Sequence, residues 1–184
     1  LLGEFQSRYK DVNVRLSVSN SLGIVHMVEN NTVDVGIVES PVTNKNLAVE
    51  VCWHDELMFI CPPNHPFAKK SSVMPQDIVN LPFLCREEGS GTREVINEYF
   101  EDNKILANDL NLCMEFGSPE AIKSAVEAGL GVSIVSRATV GKELKKMGNP
   151  VGIPISQNYD SISTASPILW SLGGMEVDKD GKTV

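Results

Sequence analysis

The sequence predicts an α/β fold of two lobes built on largely parallel sheets. Three observations carry that expectation. Short β-branched runs alternate with segments of helical period along the chain. The order strand, Ser- or Asn-rich cap, helix, strand occurs twice, across residues 12–38 and again across 110–136. Between the two occurrences lies a firm break, Pro62-Pro63-Asn64-His65-Pro66.

The second occurrence is the clearest unit. Ser118 can accept hydrogen bonds from the first free amides of a helix, and Pro119 suits the first helical position. Glu120 complements the positive end of the helix dipole, and Gly129 supplies the left-handed residue that stops the helix. Ile122, Ala125 and Val126 fall on one face, and Val132-Ser133-Ile134-Val135 follows as a short buried strand. Such a unit pairs its strands in parallel and leaves the helix N-terminus at the carboxyl edge of the sheet. Free amides there attract anions, so the chain is expected to hold a small polar molecule at such ends.

The other elements follow in order. Leu1, Leu2, Phe5 and Tyr9 have helical spacing, and Val12 to Val18 alternates as a strand does. Ser19-Asn20-Ser21 caps a helix over residues 22–30, and Val33 to Val38 is a strand closed by Glu39-Ser40-Pro41. Two separate strands, 47–53 and 56–61, are expected on either side of His54-Asp55. Residues 74–81 suggest a short helix and 82–86 a strand. Glu87-Glu88-Gly89-Ser90-Gly91-Thr92-Arg93 then leads into a helix from Glu94 to Phe100. Residues 110–116 are the strand feeding the capped helix; 137–146 read as helical, 151–155 as extended, and 167–172 as a final strand.

Composition narrows the function. The 184-residue chain carries a formal charge of -8, which argues against nucleic-acid binding by this piece, since phosphate contacts need clustered Lys and Arg. No apolar run approaches the roughly 20 residues of a membrane span, and no signal peptide opens the sequence. Cys52, Cys61, Cys85 and Cys113 sit in or beside apolar runs without Cys-x-x-Cys spacing, as reduced, buried cytosolic thiols would. The three histidines are isolated from one another, so neither a metal site nor a cofactor is expected.

Three strand-to-helix turns carry hydroxyls, amides and glycines: Ser19-Asn20-Ser21, Gly89-Ser90-Gly91-Thr92-Arg93 and Gly117-Ser118. Helix capping explains each one singly, but carboxyl-edge turns of α/β lobes converge on one crevice. Gly89 and Gly91 would let backbone approach a ligand closely. Arg93, in a helix's first turn, either serves an anion or pairs with Glu87 or Glu94. The glycines make neither a dinucleotide fingerprint nor a phosphate-binding loop with Gly-Lys-Ser/Thr, and no nucleophile-histidine arrangement is suggested. Catalysis is therefore not expected.

Several motifs together resemble one family. They are Leu2-x-x-Phe5-x-x-x-Tyr9-x-x-Val12, Asp34-Val35-Gly36-Ile37, Cys61-Pro62-x-x-His65-Pro66, Glu87-x-Gly89-Ser90-Gly91-Thr92-Arg93 and Ala128-Gly129-Leu130-Gly131-Val132-x-Ile134-Val135. In this order, over about residues 1 to 155, they resemble the effector-binding domain of LysR-type transcriptional regulators. That resemblance implies a type 2 periplasmic-binding-protein fold, two Rossmann-like lobes around a central cleft. Lobe I would be residues 1–55 plus 160–184 with its first strand missing, and lobe II residues 56–159, with crossovers near Glu56-Leu57-Met58 and near 155–159.

The resemblance also implies a small effector, often an anion or carboxylate, held in the cleft by Ser19, Asn20, Ser21, Val38, Glu39, Ser90, Gly91 and Thr92, with Gly117 and Ser118 close by. DNA would be bound only through an absent N-terminal winged helix-turn-helix domain, in a cytoplasmic protein that forms homodimers and, at full length, tetramers. A stand-alone solute receptor of the same fold is the competing expectation; the sequence upstream of Leu1 separates the two.

Overall fold

The capped unit at residues 116–136 folds as its sequence requires, and the rest of the architecture is laid out from it. In the computed structural model, which describes residues 2–70, 72–140, 152–154 and 162–171, Pro119–Glu127 is a helix (α5) whose N-cap Ser118 accepts from the Ala121 amide at 3.2 Å. Its C-terminus closes in a Schellman motif. Gly129 takes φ +81°, its amide donates to the Val126 carbonyl, and the Leu130 amide donates to the Ala125 carbonyl. Ile122, Ala125 and Val126 are buried, as their spacing predicts.

The remaining elements, in chain order, are α1 (Leu2–Arg8), α2 (Ser21–Glu29), β1 (Val35–Ile37), β2 (Leu47–Ile60), α3 (Pro75–Ile78), β3 (Phe83–Arg86), α4 (Gly91–Asp102), β4 (Leu112–Phe116), β5 (Ser133–Ser136), β6 (Gly152–Pro154) and β7 (Ile162–Ser171). Residues 137–140 are helical; the rest of the helix expected to 146 lies outside the described residues, as do the expected crossover at 155–159 and the chain beyond Ser171.

Two expectations fail for identifiable reasons. Val12 to Val18 alternates but forms no strand: no described strand pairs with it, and Leu16 and Val18 are 72% and 88% exposed. A period of two is only half of what a strand needs; the other half is a ladder partner. The two strands expected around His54-Asp55 are one continuous strand, β2. His54 and Asp55 pair with Ala165 and Thr164 of β7, so polar side chains alone do not break a ladder that backbone bonds sustain. The strand stops where Pro62-Pro63 follows.

Most strand pairs are antiparallel, against the parallel sheets predicted. β1, β7, β2 and β5 form the main sheet in that order, every neighbour antiparallel, and β6 also pairs antiparallel with β2 at Met58–Ile60. Among the described residues, parallel pairing is confined to β3 with β4 and to the bridge from Phe83 to Val132 just ahead of β5. So β4 and β5, the strands of the capped unit, run parallel with β3 between them. The long β2–β7 pairing, which no strand-helix-strand unit contains, contributes the antiparallel majority.

Alternation along β2, β3 and β5 sorts side chains onto two helical layers. Phe59, Phe83, Cys85 and Ile134 join Val95, Ile96 and Phe100 of α4 in one core. Ile60, Leu84 and Val135 join Ile122, Ala125 and Val126 of α5 in the other. Each fully buried large side chain in these layers contributes about 1.5–3 kcal/mol. Ile24, Val28, Val38 and Leu47 make a third, smaller core under α2. Cys61 and Cys85 are buried and Cys52 partly so, none of them in a disulfide, whereas Cys113, expected inside, is exposed on β4. Burial raises the pKa of the Cys61 and Cys85 thiols.

Candidate functional site

Two of the three predicted turns meet, and they meet at close range. The α2 turn and the β3–α4 turn lie 68 residues apart in sequence at the hydrogen bond from Asn20 Nδ2 to the Glu88 carbonyl, 3.3 Å. The Leu22 amide donates to the Gly89 carbonyl at 3.1 Å. Gly89 has φ +81°, and a Cβ there would fall 3.0 Å from the Leu22 Cβ, so both conformation and space call for glycine. A Cβ on Gly91 would lie 2.5 Å from Ser21 Oγ and 2.9 Å from the Ser40 amide nitrogen. Glycine at 91 is what lets three chain segments touch there.

The result is a cluster of hydroxyls: Ser21, Ser40, Ser90 and Thr92. Ser40, Ser90 and Thr92 are buried. Glu39 bridges to this cluster by accepting a hydrogen bond from Thr92 Oγ1. Ser40 is the functional candidate that sequence reasoning missed; its position directly after Glu39, at the mouth of β1, was the available signal. Val38, in contrast, is 3% exposed and packs in the core under α2, so only its backbone is left to face a ligand. Ser19 lies against Gly23, where its Oγ would be 2.2 Å from an added Cβ.

Gly117 and Ser118 are placed near the cluster only indirectly. Phe116, just before them, accepts a hydrogen bond from the Glu87 amide, but no described contact joins Gly117 or Ser118 to Ser21, Ser90 or Thr92. Ser118 has a local task as the cap of α5.

The helix N-termini are not equivalent as anion sites. At α2 the amides of Leu22, Gly23 and Ile24 donate to the Gly89 carbonyl, Asn20 Oδ1 and the Asn20 carbonyl. At α5 the Ala121 and Ile122 amides donate to Ser118. At α4 the first intrahelical bond runs from the Glu94 amide to the Ser90 carbonyl, which leaves the amides before it outside the helical ladder. The N-cap Ser90 makes no side-chain cap, and its Oγ, buried, takes no hydrogen-bond partner among the described residues. Among these helices and the described residues, α4 keeps the most uncommitted first-turn amides, those of Gly91, Thr92 and Arg93.

Arg93 does not turn to that position. Its Nη1 donates to Glu115 at 2.6 Å and to the Arg86 carbonyl at 3.0 Å, a partner neither Glu87 nor Glu94 supplies. Arg86 holds Glu87 through two bonds of 2.8 and 3.0 Å, and that guanidinium keeps the Glu87 carboxyl below its usual range. The cluster thus presents neutral donors, backbone amides and one carboxylate. That is binding chemistry.

Known proteins are similar to this chain in sequence and in fold. Residues 1–157 match the family described as the LysR substrate binding domain. The transcriptional activator CmpR of Synechocystis is 34% identical over 143 residues, covering 78% of this chain and 46% of that protein. A probable RuBisCO transcriptional regulator of Cyanidium caldarium is 37% identical over 148 residues, 79% and 47% respectively. The chain spans about half the length of these curated relatives. Among solved structures, the regulatory domain of CcmR from Synechocystis, in complex with 2-PG, superposes with a TM-score of 0.79 at 27% identity, covering 98% of this chain and 83% of that one. The effector-binding domain of QuiR in complex with shikimate gives 0.80 at 19% identity, over 94% and 79%, and supports the fold alone. With the family match extending over most of the sequence and the two-lobed, periplasmic-binding-protein-like fold in place, this chain belongs to the LysR substrate-binding domain family.

Proposed function

We propose that this chain is the sensing part of a LysR-type transcriptional regulator and takes a small anionic metabolite at the first turn of α4. The observation that carries this reading is Ser90: a buried hydroxyl at a helix N-cap, uncommitted among the described residues, beside Thr92 and the helix's first amides. Free amides and hydroxyls at a helix N-terminus suit an anion without any cation. The ligand in the CcmR structure, 2-PG, is a small acid and supports the same class.

In this reading Leu57 divides two lobes, residues 1–55 with 160–184 and residues 56–159. Support comes from β2, which pairs with β7 from Leu47 to Leu57 and with β5 and β6 from Leu57 to Ile60. DNA contact falls to a winged helix-turn-helix domain outside this sequence, in keeping with the acidic charge. The full regulator acts in the cytoplasm as a homodimer, with tetramers at full length. The exposed Leu2, Phe5 and Tyr9 of α1 suit the contact between copies. Among the described residues no helix is long and apolar enough to cross a membrane.

The test is calorimetric titration with 2-phosphoglycolate, shikimate and inorganic phosphate. Ser90→Ala should weaken the binding of the best of them by about 1–2 kcal/mol, one hydrogen bond to a charged group. Equal affinity in Ser90→Ala and in Ser21→Ala would place the site elsewhere.

A further inference from the structure

We propose that Glu39 is a built-in competitor: its carboxylate occupies the Thr92 donor in the unliganded protein and fastens the β1 exit to the first turn of α4 until an effector anion displaces it. The inference rests on the α4 reading above.

The argument is one of proton inventory. A threonine hydroxyl has a single proton to donate. In this structure Thr92 Oγ1 gives it to Glu39 across 53 residues of sequence. An incoming anion cannot receive that proton while Glu39 holds it, and it would also meet a like charge at contact distance. Among the described residues Glu39 is in no ion pair, and Arg86 and Arg93 are bound to Glu87 and Glu115. Glu39 is an exposed residue in the loop after β1, whereas Thr92 is buried in the first turn of α4. The carboxylate thus has solvent to turn into when an anion takes its place, as a displaceable plug requires.

The contact ties the β1 exit to the first turn of α4, beside the bonds from Leu22 to Gly89 and from Asn20 to Glu88 that join the α2 turn to the same loop. Removing the charged bond should loosen this junction. Gly91, pressed against Ser21 and Ser40, offers a steric way to loosen the same junction with Glu39 intact.

The experiment measures hydrogen exchange of the ligand-free protein over residues 38–40 and 88–94, together with inorganic phosphate and 2-phosphoglycolate affinities. The variants are Glu39→Ala, Glu39→Gln, Gly91→Ala and Ser90→Ala. Exchange should quicken about tenfold in Glu39→Ala, and anion affinity should rise about tenfold in both Glu39 variants, one lost hydrogen bond to a charged group. Anion binding detectable only in the Glu39 variants supports the proposal equally. Quickened exchange in Gly91→Ala but not in Glu39→Ala would show that packing alone closes the junction and overturns the proposal. Unchanged or weaker anion binding in both Glu39 variants overturns the competition. If Ser90→Ala, which leaves the bond from Thr92 to Glu39 untouched, keeps anion affinity intact, the α4 site itself fails, a result read separately from the exchange data.

Discussion

Replacing Ser90 with alanine separates stability from binding more sharply than any other change in this protein. The Ser90 hydroxyl is 1% exposed and takes no partner among the described residues. A buried donor left unmade costs about 1–3 kcal/mol. Alanine removes that group while keeping Cβ, and it forfeits no cap, because Ser90 Oγ caps nothing in α4. Ser90→Ala should therefore raise the stability of the ligand-free protein by about 1 kcal/mol, at the low end because serine's small volume leaves only a slight void. For a chain of this size that is a rise in melting temperature of about 2–4 °C. The same substitution should weaken effector binding about tenfold, since the group that is a liability when empty is an asset when an anion accepts from it. Scanning calorimetry with and without the anion reads both effects in one sample. A melting temperature that falls by several degrees without ligand would mean the hydroxyl is satisfied and structural, and would refute the reasoning.

Other outcomes follow from the same accounting. Tyr99 has a buried hydroxyl with no partner among the described residues, and burial raises its pKa; Tyr99→Phe should stabilise by about 1 kcal/mol in denaturant melts and leave anion affinity unchanged. Glu87, held low by Arg86, contributes stability that is present above the usual carboxylate range near 4.5 and is lost as pH falls through its lowered folded value. Glu87→Gln should accordingly cost about 1 kcal/mol at pH 7 and nothing once both proteins are below that value, as urea melts across pH will register. A Cβ on Gly131 would sit 2.4 Å from the Pro82 carbonyl oxygen, so Gly131→Ala should destabilise by about 1–3 kcal/mol, visible as an early melt.

How much of this was legible beforehand depended on whether the determinant was local. The Ser118 cap, the Gly129 stop and the buried face of α5 are set within one turn of helix, and the sequence shows all of them. The pairing of β2 with β7 joins residues more than a hundred positions apart, and no local pattern announces it. Hence His54-Asp55 reads as a break and is none, and Val12 to Val18 reads as a strand and is none. The candidate site divides in the same way. Ser21, Ser90, Gly91 and Thr92 are legible as turn chemistry. The partners of Arg93 and Glu39, namely Glu115 and Thr92, depend on how turns from different segments are brought together. Ser40 escaped notice because a serine before proline looks like punctuation.

The β2–β7 pairing has a mechanical side. Ten registers of antiparallel ladder run from Leu47–Ser171 to Leu57–Ile162, interrupted by one irregularity between Val51 and Trp53. A two-stranded ribbon resists stretching and shear, because either would break several bonds at once, but twist is its softest deformation. An irregular register concentrates that twist locally. Twist along the ribbon therefore concentrates at the irregular register, and in those terms the β2–β7 pair is a torsion bar whose weak point lies between Val51 and Trp53.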